Sequence, residues 1–130
     1  MAPRRESRER ALGLCYEGEV RELDPVGVLA NLPVAPDEYA RRLLEGVHAH
    51  REVIDAHLAS CSEHWTVERM PVVDRCILRI AAYELRYEPD VPTAVAISEA
   101  VELAKQYSTK DSGRFVNGLL ARIATEVRPG

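Results

Sequence analysis

The most densely apolar stretch of the chain is residues 72–87, which read VVDRCILRIAAYELRY. Wound as an α-helix at about 100° per residue, this stretch carries apolar side chains on nearly its whole surface. Only a narrow arginine strip would face water, formed by Arg75, Arg79 and Arg86. A helix that is apolar almost all round is normally buried on every side. The pattern therefore predicts a central helix around which the rest of the chain packs.

Periodic apolar positions predict further helices before and after the central one. Clusters of proline, glycine and aspartate separate these segments and mark where helices end. The predicted helices cover about residues 4–20, 25–32, 37–60, 72–87, 92–107 and 112–127, with one helical turn before residue 71. Asp111 or Ser112 is expected to cap the last helix. Because no segment alternates at length as a strand would, the predicted fold class is all-α, a compact bundle of about six to seven helices.

Composition and charge limit what such a bundle can do. Apolar residues make up 46% of the 130 residues, and the formal net charge is −4. Proteins that hold nucleic acid by bulk electrostatics are usually basic, so RNA binding here would need a local patch or a partner's help. The N-terminus lacks the apolar run of a secretion signal, and no stretch is long enough to span a bilayer. We therefore expect a cytoplasmic protein.

The sequence contains no recognisable catalytic arrangement. Acidic residues are numerous, but no pair lies in an apolar or glycine-rich context that would tune its pKa for catalysis. Neither a phosphate-binding glycine loop nor a nucleophile elbow occurs. We therefore expect no enzymatic activity and no cofactor.

Three cysteines occur at wide spacing, Cys15, Cys61 and Cys76. An odd number at such spacing is not typical of a disulfide framework or a zinc ribbon. Cys15 and Cys76 fall at apolar helix positions, which favours buried free thiols.

One stripe of possible metal ligands has two interpretations. His50, His57, Cys61 and His64 follow one another at spacings of seven, four and three residues, which places them on one side of a continuous helix. Imidazole and thiolate groups arranged in this way can bind zinc. The same positions also lie along the edge of the helix's apolar face. We favour the core edge and expect no metal site.

The last helix places an aromatic residue at the edge of its buried side. Phe115 lies roughly 90° from the middle of that side, with Gly118 and Arg122 about one and two turns further on. An aromatic ring with basic neighbours on an accessible face can stack on an unpaired base. Phe115 would otherwise fill the corner near Pro89 and Pro92. The spacing alone leaves both interpretations open.

The first helix carries a matching basic cluster. Four arginines crowd its first turns, and Tyr16 lies about two turns beyond Arg8. Arginines there could reach phosphates, and Tyr16 could stack on a base. However, Glu6 and Glu9 are interleaved with the arginines and could form i,i+4 ion pairs on a solvated surface. From this stretch alone the ion-paired surface is the favoured interpretation.

Two segments of the chain closely resemble the bacterial transcription antitermination factor NusB family. They are PVVDRCILRIAAYEL at residues 71–85 and DVPTAVAISEAVELAKQYSTKDSGRFVNGLLARI at residues 90–123. The family's pattern is ILR-x-A-x-YEL, DVP-x-x-VAI-x-EAVELAK and DS-x-x-FVNG-x-L. The N-terminal RRESRERALGLCYEGE is similar to the family's arginine-rich helix. The resemblance implies a single domain over residues 1–130, in which helical subdomains of about 4–64 and 66–127 share a core.

The resemblance also implies a function. Members of the family bind the boxA element of nascent RNA together with NusE, a ribosomal small-subunit protein that doubles as a transcription factor. Their complex joins RNA polymerase and supports ribosomal RNA transcription past terminators. By resemblance, this chain is expected to bind boxA-type single-stranded RNA, NusE and the RNA polymerase antitermination complex.

Site residues follow from the same resemblance. The implied RNA-binding residues are Arg4, Arg5, Arg8, Tyr16, Asp111, Ser112, Arg114, Phe115 and Asn117. The implied NusE contact is at the start of the central helix, at Asp74. Leu78, Ala81 and Leu85 align with that acid on the helix's smaller apolar side, where they form either a partner interface or a second layer of core.

Two departures from the family pattern bear on RNA affinity. Glu6 and Glu9 dilute the arginine cluster, and residues 19–36 form a short connection. Together with the acidic net charge, they predict weak RNA binding by the chain alone and tighter binding with NusE. The alternatives are a relative of the RNA-binding domain of a ribosomal RNA cytosine methyltransferase and a homodimeric helical protein whose RNA surface is masked.

Overall fold

The chain folds into seven α-helices and one short 3₁₀ helix within residues 3–63 and 66–129, which a computed structural model describes. These ranges contain no strand, so the predicted all-α fold class is confirmed. The α-helices are α1 (Arg4–Arg21), α2 (Pro25–Ala30), α3 (Glu38–Ala49), α4 (Arg51–Cys61), α5 (Val72–Tyr87), α6 (Thr93–Tyr107) and α7 (Ser112–Val127). The 3₁₀ helix, Val67–Arg69, precedes α5. The division into two subdomains stays a prediction.

Helix α5 is the central element, as its apolar pattern predicts. Eleven of its sixteen residues are buried, and α1, α3, α4, α6 and α7 all pack against it. Both apolar sides are covered, because Leu78, Ala81 and Leu85 are at most 2% exposed. Of the two interpretations of this stripe, a partner interface is inconsistent with the burial and a second layer of core agrees with it. The three residues form a second layer of the core, since α5 has neighbours on both sides.

The arginine strip of α5 is less exposed than its pattern suggests. Arg79 is only 5% exposed and forms two hydrogen bonds of 2.8 Å with the Asp55 carboxylate of α4. It also lies 3.1 Å from the Glu19 carboxylate of α1. Burial disfavours its charge, but these two acids outweigh that effect and leave the pKa of Arg79 raised. Two acidic neighbours thus allow a charged residue to face the interior.

The helix predicted over residues 37–60 is two helices. Helix α3 ends at Ala49 and α4 begins at Arg51, with His50 between them at φ −111° and ψ 18°. The His50 ring stacks on the Tyr87 ring with 3.9 Å between their centroids. Helix α4 then packs against α7. The apolar spacing continues across the break, so periodicity alone could not locate it.

Aspartates cap two helices, but not the last one. The Asp37 carboxylate accepts hydrogen bonds from the backbone N–H groups of Tyr39 and Ala40 at the start of α3, both at 3.1 Å. Asp24 caps α2 in the same way. Among the described residues the Asp111 side chain forms no capping bond, because its backbone is already helical at φ −86° and ψ −13°. Asp111 therefore occupies the predicted N-cap position of α7, but without the side-chain hydrogen bond of a cap.

The cysteines are free thiols, as predicted, but differ in burial. Cys61 and Cys76 are buried and Cys15 is partly buried. Burial raises the pKa of the Cys76 thiol to about 12, which keeps it protonated at neutral pH. Over the described part of the chain, no helix combines the length and apolar character needed to cross a membrane.

Gly46 of α3 lies against the ring of Tyr83, and this contact predicts a stability difference between two glycine variants. A Cβ at Gly46 would lie 2.3 Å from Tyr83 Cε1, and that ring is held by a 2.9 Å hydrogen bond to Glu88. We expect Gly46→Ala to lower the free energy of unfolding by about 1–3 kcal/mol, because the core would be overpacked. Urea denaturation followed by circular dichroism measures this loss.

Gly13 provides the matched control in α1. None of the described atoms would come within 4 Å of a Cβ there. Gly13→Ala should therefore raise stability by up to about 1 kcal/mol through helix propensity. A Gly46→Ala protein as stable as Gly13→Ala would contradict the close packing of Tyr83.

Candidate nucleic-acid interface

The start of α5 is joined to the turn between α6 and α7 by a buried carboxylate. Ser108 and Ser112 donate hydrogen bonds from their hydroxyl groups to the two oxygens of Asp74, at 2.5 and 2.9 Å. Thr109 lies 2.8 Å from the Ser112 hydroxyl. Asp74 and Ser112 are 3% and 4% exposed. The structure therefore places the predicted partner residue Asp74 and the predicted RNA residue Ser112 at an internal junction, where they position the turn.

A groove of about 630 Å³ opens beside this junction. Its walls come from the end of α4, the start of α5, the α6–α7 turn and one face of α7. Among its lining residues are Asp111, Arg114, Phe115, Leu119 and Arg122. The groove thus brings together most of the predicted RNA residues of the last helix, while Asn117 lies exposed on a neighbouring face of α7.

Phe115 is shared between this groove and the core. It is partly buried, packs against the main apolar cluster and also lines the groove. The opposite end of α7 is the one near Pro89 and Pro92, since Arg128 there donates to the backbone carbonyls of Glu88 and Val91. Phe115 therefore does not fill the corner near those prolines, and part of its ring is accessible beside Arg114 and Arg122.

A second groove, of about 380 Å³, lies on the α1 side of the same junction. Tyr16 of α1 and Tyr107 of α6 line it and are 43% and 47% exposed. The Tyr107 hydroxyl donates a 2.7 Å hydrogen bond to Glu9. Val73 at the start of α5 also lines this groove, whereas Asp74 lines the other. Tyr16 and the groove-lining predicted residues of α7 therefore lie on the two sides of one junction.

Arg8 is not part of the exposed surface. Its side chain is 5% exposed, and its Nε donates to both oxygens of Glu84 at 3.0 Å. Burial lowers the pKa of the Arg8 guanidinium, but the hydrogen bonds and charge of Glu84 outweigh this and leave it raised. The prediction that Arg8 contacts RNA directly is inconsistent with this burial. Arg8 instead fixes α1 on α5.

Arg4 and Arg5 remain exposed, but both have intramolecular contacts. The Arg4 guanidinium lies 4.3 Å from the centroid of the Tyr39 ring, a cation–π contact. Arg5 forms two hydrogen bonds with Glu99 of α6, at 3.1 and 2.7 Å, and its side chain is still 69% exposed. The expected i,i+4 pair of Arg5 with Glu9 is replaced by this longer-range pair. RNA phosphates would have to compete with Glu99 for Arg5.

The histidine stripe is divided by the break between α3 and α4. His57 and Cys61 lie together on α4, next to Glu126 of α7. His50 stacks on Tyr87 instead, and the predicted position of His64 lies outside the described residues. Hydrogen bonding from Cys61 and His57 lowers the pKa of the Glu126 carboxyl, while burial and the Glu126 contact raise that of the Cys61 thiol.

This fold and surface define a class of small all-helical protein whose exposed aromatic rings and arginines suit RNA. A family model described as the NusB family matches residues 5–125. The chain belongs to the NusB family.

Relatives match the chain over nearly their whole length. It is 48% identical to the transcription antitermination protein NusB of Salinispora arenicola (strain CNS-205), covering 95% of this chain and 96% of the relative. The identity to the corresponding protein of Salinispora tropica is 50%, with the same coverage.

Solved structures share the fold at lower sequence identity. T. maritima NusB superposes with a TM-score of 0.88 at 39% identity, covering 98% of this chain and 94% of that chain. A crystal structure of antitermination factors NusB and NusE in complex with dsRNA has a TM-score of 0.81 at 25% identity, covering 95% and 96% of the two chains.

Three residues at these sites were not predicted from the sequence, namely Glu84, Tyr107 and Glu126. Glu84 could have been found, because an acid within a helix that is buried on all sides requires a partner. Tyr107 ends its helix just before a turn, and the chain pattern holds no signal that it lines the same groove as Tyr16. Glu126 meets His57 and Cys61 only through tertiary packing, so no local spacing could predict it.

The buried Arg8–Glu84 pair predicts that Arg8 contributes to stability. Arg8→Ala would leave the Glu84 carboxylate, which is 1% exposed, without its cation. We expect a loss of about 3–5 kcal/mol in the free energy of unfolding, measured by urea denaturation without RNA.

Arg4→Ala is the control for this loss. Arg4 is exposed and contributes one cation–π contact, so its removal should cost about 0.5–1 kcal/mol. Equal stabilities of the two variants would restore Arg8 as a candidate for a direct RNA contact.

Proposed function

We propose that the chain is a transcription antitermination factor that binds boxA-type single-stranded RNA in nascent ribosomal RNA transcripts together with NusE. In this proposal the complex acts on RNA polymerase in the cytoplasm. Family membership supports it, as do relatives named transcription antitermination proteins that match over 95% of the chain. A similar fold is found in a complex of NusB with NusE and dsRNA.

The groove that contains Phe115 is the observation that carries the RNA proposal. Its aromatic ring is partly accessible, and the exposed Arg114 and Arg122 line the same groove. Unpaired bases stack on aromatic rings, and arginines bind phosphates without regard to sequence. Because Gly118 carries no side chain into the groove, a base can approach the ring closely.

The RNA path continues across the junction to α1. Tyr16 of α1 and Tyr107 of α6 offer further aromatic surface there. Arg4 and Arg5 lie exposed on α1, the helix that carries Tyr16. Glu99 already neutralises Arg5, and Glu9 accepts a hydrogen bond from Tyr107. A chain of net charge −4 gains little from bulk electrostatics, so RNA affinity should depend on NusE.

NusE is proposed to bind at the exposed entrance of the α7 groove. The apolar stripe on α5 is buried, and at the start of the helix the exposed Pro71 lines this groove together with Leu119. An apolar groove bordered by polar residues is typical of a protein-binding surface. NusE would then contact the chain next to the RNA and contribute its own charge to the complex.

Binding titrations with labelled RNA test the proposal. BoxA RNA, a scrambled strand and a duplex of the same length are each titrated with the chain, with and without NusE. We expect weak binding by the chain alone and a preference for boxA with NusE present. If neither mixture distinguishes boxA from the scrambled strand, the antitermination proposal is abandoned.

Two variants locate the RNA surface in the same titration. Arg114→Gln should reduce the slope of log K against log salt concentration by about 0.7, as expected when one single-strand phosphate contact is lost. Phe115→Leu keeps an apolar side chain but removes the ring, and should weaken binding by about 1–3 kcal/mol. Arg41→Gln on α3 is the control, since Arg41 is 61% exposed and lies away from both grooves.

A pair of glycine variants tests the NusE surface without RNA. Gly118→Leu and Gly13→Leu each add a side chain where none of the described atoms would contact its Cβ. Because only Gly118 lines the α7 groove, only its variant should weaken NusE binding at least tenfold in calorimetry. Equal affinities for the two variants would exclude this groove. Sedimentation of the free chain tests whether a homodimer competes for it.

A further inference from the structure

We propose that His57, Cys61 and Glu126 form a zinc-type metal site that links α4 to α7. The site does not depend on the proposed role in transcription. Their ligand atoms all lie within 4.8 Å of one another. His57 Nε2 is 3.4 Å from Glu126 Oε1, and Cys61 Sγ is 3.1 Å from Glu126 Oε2.

These separations are close to those of a tetrahedral zinc site. Zinc binds sulfur at about 2.3 Å and nitrogen or carboxylate oxygen at about 2.0–2.2 Å, so two ligand atoms at the tetrahedral angle lie about 3.3–3.6 Å apart. The His57 contact lies within that range and the Cys61 contact is a few tenths of an ångström shorter, but the two contacts use different oxygens of the Glu126 carboxylate. The carboxylate would therefore have to rotate to present one oxygen to an ion held between the three groups.

The backbone holds the ligands in register from two helices. His57 and Cys61 are four residues apart on α4 and so lie on the same face. Glu126 approaches them from the last turn of α7, and α4 and α7 pack against each other. The His57 side chain is 11% exposed and that of Glu126 is 57% exposed. The site is thus buried on the α4 side and open to solvent at Glu126, where water can complete the coordination.

The charges also suit a divalent cation. Binding removes the proton of the Cys61 thiol to solvent, and the sulfur then donates its electron pair to the metal. A thiolate and the Glu126 carboxylate together neutralise a 2+ ion. Arg122 donates to the Cys61 carbonyl, and it lies 3.5 Å from Glu63, whose charge offsets its own.

The hydrogen bonding of the His57 ring indicates how tightly the site should bind a metal ion. Its Nδ1 is buried and forms no hydrogen bond with any group that the structure describes. Outer hydrogen bonds to a ligating histidine typically contribute 10–100-fold in metal affinity. With three protein ligands and no such bond, we expect micromolar affinity rather than that of a closed structural zinc site.

Cobalt titration tests the site, because a thiolate bound to Co²⁺ gives a near-ultraviolet charge-transfer band. The chain, free of any affinity tag, should develop this band and tetrahedral visible bands at one equivalent, and zinc should displace them. Cys61→Ser should abolish the charge-transfer band. A chain that gives no such band, or a band that survives Cys61→Ser, overturns the proposal.

Matched variants separate ligands from other exposed groups. His57→Gln and Glu126→Gln should each weaken cobalt binding at least tenfold. The controls His48→Gln on α3 and Glu102→Gln on α6 should bind as the parent does, since both positions are exposed. If Glu126→Gln and Glu102→Gln bind equally well, Glu126 is no ligand and the proposed link between helices is wrong.

Thermal denaturation provides a second readout. Zinc at about 100 times its Kd should raise the Tm by roughly 5–10 °C, because the ion binds the folded chain. Glu126→Gln, whose exposed position should not disturb folding, should lose this shift, and Glu102→Gln should keep it. An equal rise in both variants would contradict the proposal.

Discussion

The buried carboxylate of Glu84 is the constraint on which the arrangement of helices depends. It lies in the last turn of α5 with 1% of its side chain exposed, where an uncompensated charge would be very unfavourable. Arg8 of α1 and the Tyr39 hydroxyl of α3 both donate to it. Three helices therefore have to meet at one point and in one register. Because Arg8 is fixed there, Arg5 projects outwards beside Glu99 of α6 and Arg4 lies against Tyr39 of α3.

Two further polar residues of α5 act in a similar way at its other turns. Arg79 joins α5 to Asp55 of α4, and Asp74 joins it to Ser112 of α7. The apolar sides of α5 supply most of the burial, but they would permit neighbouring helices to slide or rotate. We infer that these three polar junctions select one arrangement, since sliding would leave buried charges unpaired. Both grooves lie beside the junction at Asp74, so its geometry also determines their shape.

Local features of the sequence predicted the helices well, because helix ends and apolar periodicity are encoded within a few residues. The bounds of α5 agree with its pattern, and so does the all-α class. Contacts between residues far apart in the chain could not be predicted from these local features. Arg79 was predicted to face solvent, and Leu78 was predicted to lie either at an interface or in the core. A helical projection shows which residues share a side of a helix, but not what covers that side. The resemblance found the Arg114–Phe115 region, yet it could not distinguish the exposed Arg5 from the buried Arg8.

The difference between Arg5 and Arg8 affects how the surface can work. Both arginines are near Glu99, but Arg8 is enclosed with Glu84, whereas the Arg5 side chain is exposed. An incoming phosphate could reach Arg5 from the solvent side, while Arg8 cannot leave Glu84 without disrupting the core. Glu99, whose side chain is 13% exposed, competes with the phosphate for Arg5. A surface of this kind favours RNA only when further contacts hold the strand in place, and the proposed binding of NusE beside the α7 groove would supply such contacts.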